Sequence, residues 1–188
     1  TIDEHIRHFH LPLIEMLNGL GYEVDIASNG SETFKYVNNK YNVPLEKSPF
    51  NYNNIKAYYG LKKIIKKNNY DVIHVNMPMG AAIGRMAAKK YRKFGTKVIY
   101  TAHGFHFFKG TPFFNWLLYY PVEKYLSKYT DILITINKED YTLSTNKFKA
   151  KENIYIPGVG VDLNEFSFQI KEKKDILREK HCFSSEDF

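Results

Sequence analysis

Short runs rich in valine and isoleucine alternate along this chain with longer segments of helical period. That alternation predicts an α/β fold, a Rossmann-like doubly wound parallel sheet with helices on both faces. Two further observations support it. Several strand candidates are nearly continuous apolar runs, as expected of strands covered on both sides. The stretches between them are long enough for the helical crossovers that parallel neighbours require.

The opening "TIDEHIRHFHLP" reads as a loop that leads into a helix at about 10–20. "YEVDIAS" (22–28) is the first strand candidate, and a helix is expected at 53–67. "YDVIHVN" (70–76), "TKVIYTAH" (96–103), "DILITIN" (131–137) and "NIYIP" (153–157) follow as strands. The helices expected between them fall at 79–94, 113–128 and 138–148. "KKDILREKHCFSSEDF" closes the chain with a charged, helix-like pattern. A doubly wound domain usually begins with a strand that becomes central in the sheet. The sequence therefore implies an upstream strand, and a larger protein of which this chain is the N-terminal part.

The formal charge of +7 is spread over several lysine clusters rather than gathered in one tail. It favours anionic partners, namely phosphates, nucleic acid or an acidic membrane surface, beside the plainer reading of solubilising lysines on exposed helix faces. Cys182 stands alone, so neither an intrachain disulfide nor a thiol zinc set can form, and a reducing cytoplasm fits. The densest apolar stretch, "FFNWLLYY", falls far short of the roughly 20 residues of a membrane span. Contact with a membrane from one side is compatible with this.

Ligands of open α/β sheets bind outside the carboxyl ends of the strands, so the residues just after each strand are the candidates. "PMGAAIG" opens a helix with Pro78 in its first turn. Its small residues, Gly80 among them, suit either a phosphate or sugar hydroxyl lying close, or tight packing of helix on sheet. His103 ends a strand, and Gly104 beside it would let backbone N–H groups face a ligand. His106 and Lys109 add charge or hydrogen bonds around an anionic or polyhydroxylated group. A hydrogen-bonded packing role for His103 is the alternative. His5, His8 and His10 lie close in sequence, yet no metal-ligand spacing accompanies them, so solvated or capping roles are expected. No dinucleotide fingerprint, P-loop or nucleophile elbow occurs.

On the aromatic helix, Phe114, Leu117, Leu118, Val122 and Tyr125 share one face and are expected in the core. Phe113, Trp116 and Tyr120 gather on a second face. That face could pack under a loop, line an acceptor groove, or rest on a membrane interface with nearby lysines.

"IPGVGVDLNEF" (156–166) resembles the "IPNGVDxxxF" segment of family-4 glycosyltransferases of the GT-B fold. "GLGYEVDIAS", "YDVIHVNMPMG", "VIYTAHG" and "DILITINKED" are similar, in the same order, to successive strands of that family, especially of its bacterial capsule and exopolysaccharide members. The resemblance implies the N-terminal half of a two-domain enzyme. Residues 1–165 would form the acceptor-side domain, and residues 166–188 a linker and the start of a C-terminal donor-binding domain. It implies sugar transfer from a nucleotide diphosphate donor to a saccharide or polyprenyl-linked acceptor with retention, and without a required metal or other cofactor. His103 would act at the reacting centre. Gly104, His106, Lys109, Asn76, Pro78, Gly80, Asp3, Glu4 and His5 would line the substrate side, and Gly158 and Gly160 would be hinges. The protein would be cytoplasmic, peripheral at the inner membrane face through Phe113, Trp116 and basic residues, with no nucleic-acid partner. Asn76 stands where the family commonly has histidine, Gly158 stands where it has asparagine, and the opening loop lacks the family's paired glycines. A nucleotide-sugar epimerase and a basic nucleic-acid-binding module are the alternatives.

Overall fold

The computed structural model describes residues 2–161, 163 and 166–184. Two helices come first, α1 (Asp3–Phe9) and α2 (Leu11–Gly19), followed by β1 (Asp25–Ser28) and β2 (Asn39–Asn42). Then follow α3 (Asn53–Asn68), β3 (Val72–Asn76), α4 (Pro78–Ala88), β4 (Lys97–Ala102) and α5 (Phe113–Leu126). β5 (Ile132–Thr135), α6 (Lys138–Lys147), β6 (Glu152–Tyr155) and α7 (Lys171–Lys180) complete the order. Strands β3, β4, β5 and β6 form a wholly parallel sheet in that order, and β1 and β2 form a separate parallel pair. The expected α/β class is what the chain adopts.

Two elements differ from the sequence reading. The opening is not a loop, because Asp3–Phe9 is helical, with Asp3 and Glu4 in its first turn and Arg7 and His8 in its last. That arrangement complements the helix dipole. Strand β2 (Asn39–Asn42, "NKYN") carries no β-branched residue, and its pairing with β1 makes it a strand. Asn39 Nδ2 donates to Asp25 Oδ1 at 2.9 Å across that pair.

The core lies between the four-stranded sheet and its helices. Val75, Tyr100, Ala102 and Leu133 from the strands meet Ala81 of α4 and Phe105, Phe107 and Phe148. Helix α4 packs unusually close, since a Cβ added at Gly84 would stand 2.5 Å from Val75 Cγ1. The small residues of "PMGAAIG" therefore serve helix-on-sheet packing at Ala81 and Gly84.

At the amino ends of the strands Asp131 ties the sheet together. Its carboxylate accepts two bonds from Arg92, both 2.9 Å, and one of 2.9 Å from the Val98 N–H, with Lys151 Nζ 2.8 Å away. The Arg92 guanidinium is the main reason its pKa is held far below the usual carboxylate range. This knot is structural, at the sheet end opposite to the one where ligands bind.

Helix α5 faces the other way round from the expectation. Trp116, Tyr119 and Tyr120 pack on the core, while Phe114, Leu117, Val122 and Tyr125 are exposed. The cause is Glu123, one turn on from Tyr119 and Tyr120, which is buried against Arg85 of α4 with Nη2 and Oε2 2.8 Å apart. A charged residue on the inward stripe makes that stripe look the more polar of the two in sequence. The Arg85 guanidinium also lies 4.3 Å from the centre of the Tyr100 ring and donates to the Ala81 carbonyl at 3.0 Å.

The chain divides into two compact units, residues 1–157 and 158–188. The second holds α7, none of whose residues is buried. Gly158, at the break, has φ +80°, a conformation that favours glycine. Among the described residues no helix is long and apolar enough to cross a membrane.

Candidate functional site

The carboxyl ends of β3 and β4 lie side by side, with Asn76 opposite Thr101. His103 follows directly and leads into the Gly104 turn. Gly104 has φ +120°, and a Cβ there would meet nothing within 4 Å. The turn thus needs glycine for its backbone and opens onto free space.

Three buried side-chain atoms lack a hydrogen-bond partner among the described residues, namely Asn76 Oδ1, His103 Nε2 and Asn153 Oδ1. Asn153 sits in β6 opposite Leu133. The other two belong to adjacent strand ends. Buried polar atoms are nearly always satisfied in folded proteins, and leaving one orphaned costs about 1–3 kcal/mol. Between Asn76 and α4, Met77 adopts φ 64° and ψ 141°, a backbone conformation rare for a residue with a side chain. Such strain concentrates at ligand sites.

Histidines from the N-terminal helices complete the cluster. The His5 ring lies edge-on to His103 with centres 5.5 Å apart, and His10 Nε2 is 3.1 Å from His5 Nδ1. His74 of β3 contacts Thr101 Oγ1 at 2.8 Å. Burial is the chief cause that lowers the pKa of His5, His10 and His74 to about 4, and it lowers that of His103 as well. The rings are therefore neutral near pH 7. Of the solvated or capping roles expected, the solvated one does not hold for His5 and His10, whose rings pack against His103; His10 does occupy the cap position between α1 and α2, though its side chain makes no cap hydrogen bond. His8 is exposed.

These shifts set a pH dependence. A histidine of unfolded pKa 6.5 and folded pKa about 4 is protonated first in the unfolded chain as pH falls. Its contribution is fully present above pH 6.5 and is lost progressively as pH falls from 6.5 towards 4. The rings keep partial solvent access, His74 through an open cavity beside β3. After allowance for screening, each contributes on the order of 1 kcal/mol. Thermal melts should accordingly show stability falling steadily between pH 6.5 and 4.5. A flat profile over that interval would contradict the neutral cluster.

The remaining predicted positions separate into two groups. Pro78, Gly104 and His106 border one small hollow together with Tyr100 and Glu123, and Gly80 lies with Asn76 on the larger cavity beside β3. These join His103 and His5 at one end of the sheet. Asp3 is committed inward, accepting from Ser28 Oγ at 2.6 Å and the Glu32 N–H at 2.8 Å, with Lys40 Nζ 3.0 Å away. Glu4 is exposed. His106 is exposed with its ring edge-on to Tyr119, and Lys109 is held through its backbone N–H, which donates to Glu139 Oε1 at 2.7 Å.

Asp140 escapes the sequence reading. Buried in the first turn of α6, it accepts the Phe105 N–H at 3.0 Å and Asn137 Nδ2 at 2.8 Å, while Asn137 Oδ1 caps the helix by accepting the Asp140 N–H. This carboxylate fixes the backbone two residues beyond His103. A signal was present in "NKED", where an asparagine cap is followed three residues later by an acid, in the manner of a capping box. Among the described residues no group of three His, Cys, Asp or Glu side chains is placed to hold a metal ion.

Residues 3–137 match the family model described as "Glycosyl transferase 4-like". The whole chain is 46% identical over 189 residues to EpsD of Bacillus subtilis (strain 168), which carries a provisional glycosyltransferase name, and covers 50% of that protein. Over 128 residues, 67% of the chain, it is 31% identical to the UDP-Gal:alpha-D-GlcNAc-diphosphoundecaprenol alpha-1,3-galactosyltransferase of Escherichia coli and covers 32% of it. The chain spans half the length of the first relative and about a third of the second. Among solved structures, a sucrose-phosphate synthase chain from Thermosynechococcus elongatus superposes with TM-score 0.58 at 16% identity, with 96% of each chain covered. Acinetobacter baumannii MurG superposes with TM-score 0.50 at 15% identity, over 82% of this chain and 42% of that one. These two likenesses concern the fold.

Proposed function

This chain belongs to the glycosyl transferase 4-like family, and from that premise we propose that its full-length protein is a glycosyltransferase of cell-surface polysaccharide assembly. It moves a sugar from a nucleotide diphosphate donor to a saccharide or polyprenyl-diphosphate-linked acceptor with retention, and no resident metal ion takes part. The chain supplies the acceptor side of the cleft. The observation that carries this reading is His103 Nε2, a buried polar atom without a partner at the carboxyl end of an inner strand. A sugar hydroxyl is a ligand of the right chemistry for it, since it can donate or accept whichever imidazole tautomer is present. Asn76 Oδ1 would accept from a second hydroxyl. The E. coli relative, by its name, uses UDP-galactose and a GlcNAc-diphosphoundecaprenol acceptor, which supports a lipid-linked acceptor here.

In transfer of this kind positive charge develops at the sugar while a diphosphate departs. Catalysis therefore rests on preorganised dipoles and on exclusion of water. His103, neutral near pH 7, is suited to orienting a hydroxyl without placing a competing cation at the reacting carbon. Asp140 holds the following backbone so that the imidazole keeps its place.

The test is incubation of the full-length protein with radiolabelled nucleotide sugars, with and without polyprenyl-diphosphate-linked acceptors. Label should enter lipid only when acceptor is present. Conversion of the nucleotide sugar without acceptor would instead identify an epimerase.

The membrane contact moves to other residues than those expected. Trp116 packs on Phe107 and Tyr120, so it is removed from that role. Phe113, Phe114 and Leu117 are 79%, 67% and 60% exposed, and Lys109, Lys124 and Lys128 are exposed nearby. We place the peripheral contact with the inner membrane face on this set, because apolar rings beside lysines suit the interface of an anionic bilayer. Replacement of Phe113, Phe114 and Leu117 by serine should reduce pelleting with anionic liposomes without lowering the melting temperature. Unchanged pelleting would remove the helix from the membrane.

A further inference from the structure

Phe9, the last residue of α1, is 52% exposed although its ring stands beside His103, with ring centres 6.4 Å apart. Its other ring neighbours among the described residues are His5, 4.9 Å away and tilted by 41°, and His8, 6.4 Å away. The rings form a row, with His103 and its unpartnered Nε2 innermost, His5 next and Phe9 outermost. Ligand sites are lined mostly by apolar and aromatic surface with a few convergent polar groups. An uncovered aromatic ring next to orphaned polar atoms is that combination.

What surrounds the ring decides which part of an acceptor covers it. An isoprenoid chain needs an apolar groove several carbons long, whereas Phe9 is a single ring bordered by histidines. A diphosphate needs cations, and the cluster offers none. His5, His10 and His103 are neutral near pH 7 because burial lowers their pKa, and Arg7, the one lysine or arginine of α1, is engaged by Glu32. A pyranose joins a face of C–H groups to a rim of hydroxyls. The C–H face suits the electron-rich face of an aromatic ring, and the rim suits His103 Nε2 and Asn76 Oδ1.

We propose that Phe9 is the stacking platform for the sugar ring of the acceptor, which lies across it with a hydroxyl edge towards His103 and Asn76 and its diphosphate directed away from the histidines. This rests on the reading of the chain as the acceptor side of a glycosyltransferase. Phe9 is then a specificity-determining residue. A sugar whose hydroxyls are equatorial on the stacked face fits, while an axial hydroxyl on that face would be pressed against the ring without a partner and is disfavoured.

The test uses the full-length protein and the lipid-linked acceptor to which it transfers label. Phe9→Ala and Phe9→Leu should each raise the acceptor KM about tenfold, with a much smaller change in kcat and none in the KM of the nucleotide sugar. Phe9→Trp, which keeps a ring, should stay within about threefold of the wild type. Leucine supplies apolar bulk without an aromatic face, so an unchanged acceptor KM in Phe9→Leu would overturn the platform. A fall in kcat at constant KM would overturn it too, because Phe9 would then only hold His5 in place. The polyprenyl diphosphate without its sugar is added as a competitive inhibitor, and Phe9→Ala should leave its inhibition constant unchanged. A parallel weakening would assign the ring to the lipid or the diphosphate and overturn the proposal. Failure of the wild type to transfer label to any lipid-linked acceptor is a distinct result, which would remove the underlying reading and the platform with it.

Discussion

Full-length protein carrying His103→Ala is expected to fold as the wild type does and to lose glycosyl transfer by about a hundredfold or more, the usual effect of deleting one preorganised hydrogen-bonding group. The two halves of this expectation have separate origins. Folding should survive because the imidazole Nε2 is satisfied by nothing in the described protein. Removing it relieves an orphaned polar atom, at the expense of ring contacts with His5, Phe9 and His10. Transfer should fail because the hydroxyl that completes His103 would lose its orientation. Asp140→Asn offers a graded companion. It keeps the shape and one acceptor oxygen for the Phe105 N–H but gives up the charge, so it should lower turnover less than His103→Ala. Near-normal transfer by His103→Ala would remove the residue from the reaction.

The second large effect concerns stability. Glu123→Ala leaves Arg85, 1% exposed, without its ion-pair partner, and no other carboxylate among the described residues pairs with it. Breaking one side of a buried ion pair costs about 3–5 kcal/mol, which for a chain of this size lowers the melting temperature by about 8–15 °C. The change also reaches the site, since Tyr100, stacked under Arg85, borders the same hollow as Gly104. Burial first and the Glu123 carboxylate second push the Tyr100 phenol pKa well up, so that ring stays neutral throughout the working range. Replacing both partners with apolar residues, Arg85→Met with Glu123→Leu, should recover most of the lost stability, because no uncompensated charge remains. Equal loss in the single and double variants would show that volume, rather than charge, is what the pair supplies.

These two residues show where the sequence was legible and where it was not. The strands β1, β3, β4, β5 and β6 lie within the valine- and isoleucine-rich runs, because buried parallel strands must be apolar on both faces. Strand β2 was hidden, since "NKYN" becomes a strand only through its partner. The orientation of α5 was misread because periodicity cannot say which of two apolar stripes turns inward. The histidine cluster was half visible. His103 stood out at a strand end, but its closeness to His5 and His10 depends on α1, which the opening sequence did not announce. Asp140 acts on a backbone 35 residues away, a relation that only tertiary structure creates.

Acceptor binding at the ends of β3 and β4 can be observed without reference to turnover. Full-length protein labelled with nitrogen-15 at histidine and asparagine side chains is titrated with a short-chain polyprenyl-diphosphate sugar in detergent. The ring nitrogens of His103 and the side-chain amide of Asn76 should shift and saturate together, while the side-chain amide of Asn68, hydrogen-bonded to Tyr41 and Tyr70 beyond the amino end of β3, stays unmoved. Binding that saturates with His103 and Asn76 unperturbed would place the acceptor elsewhere and contradict the site.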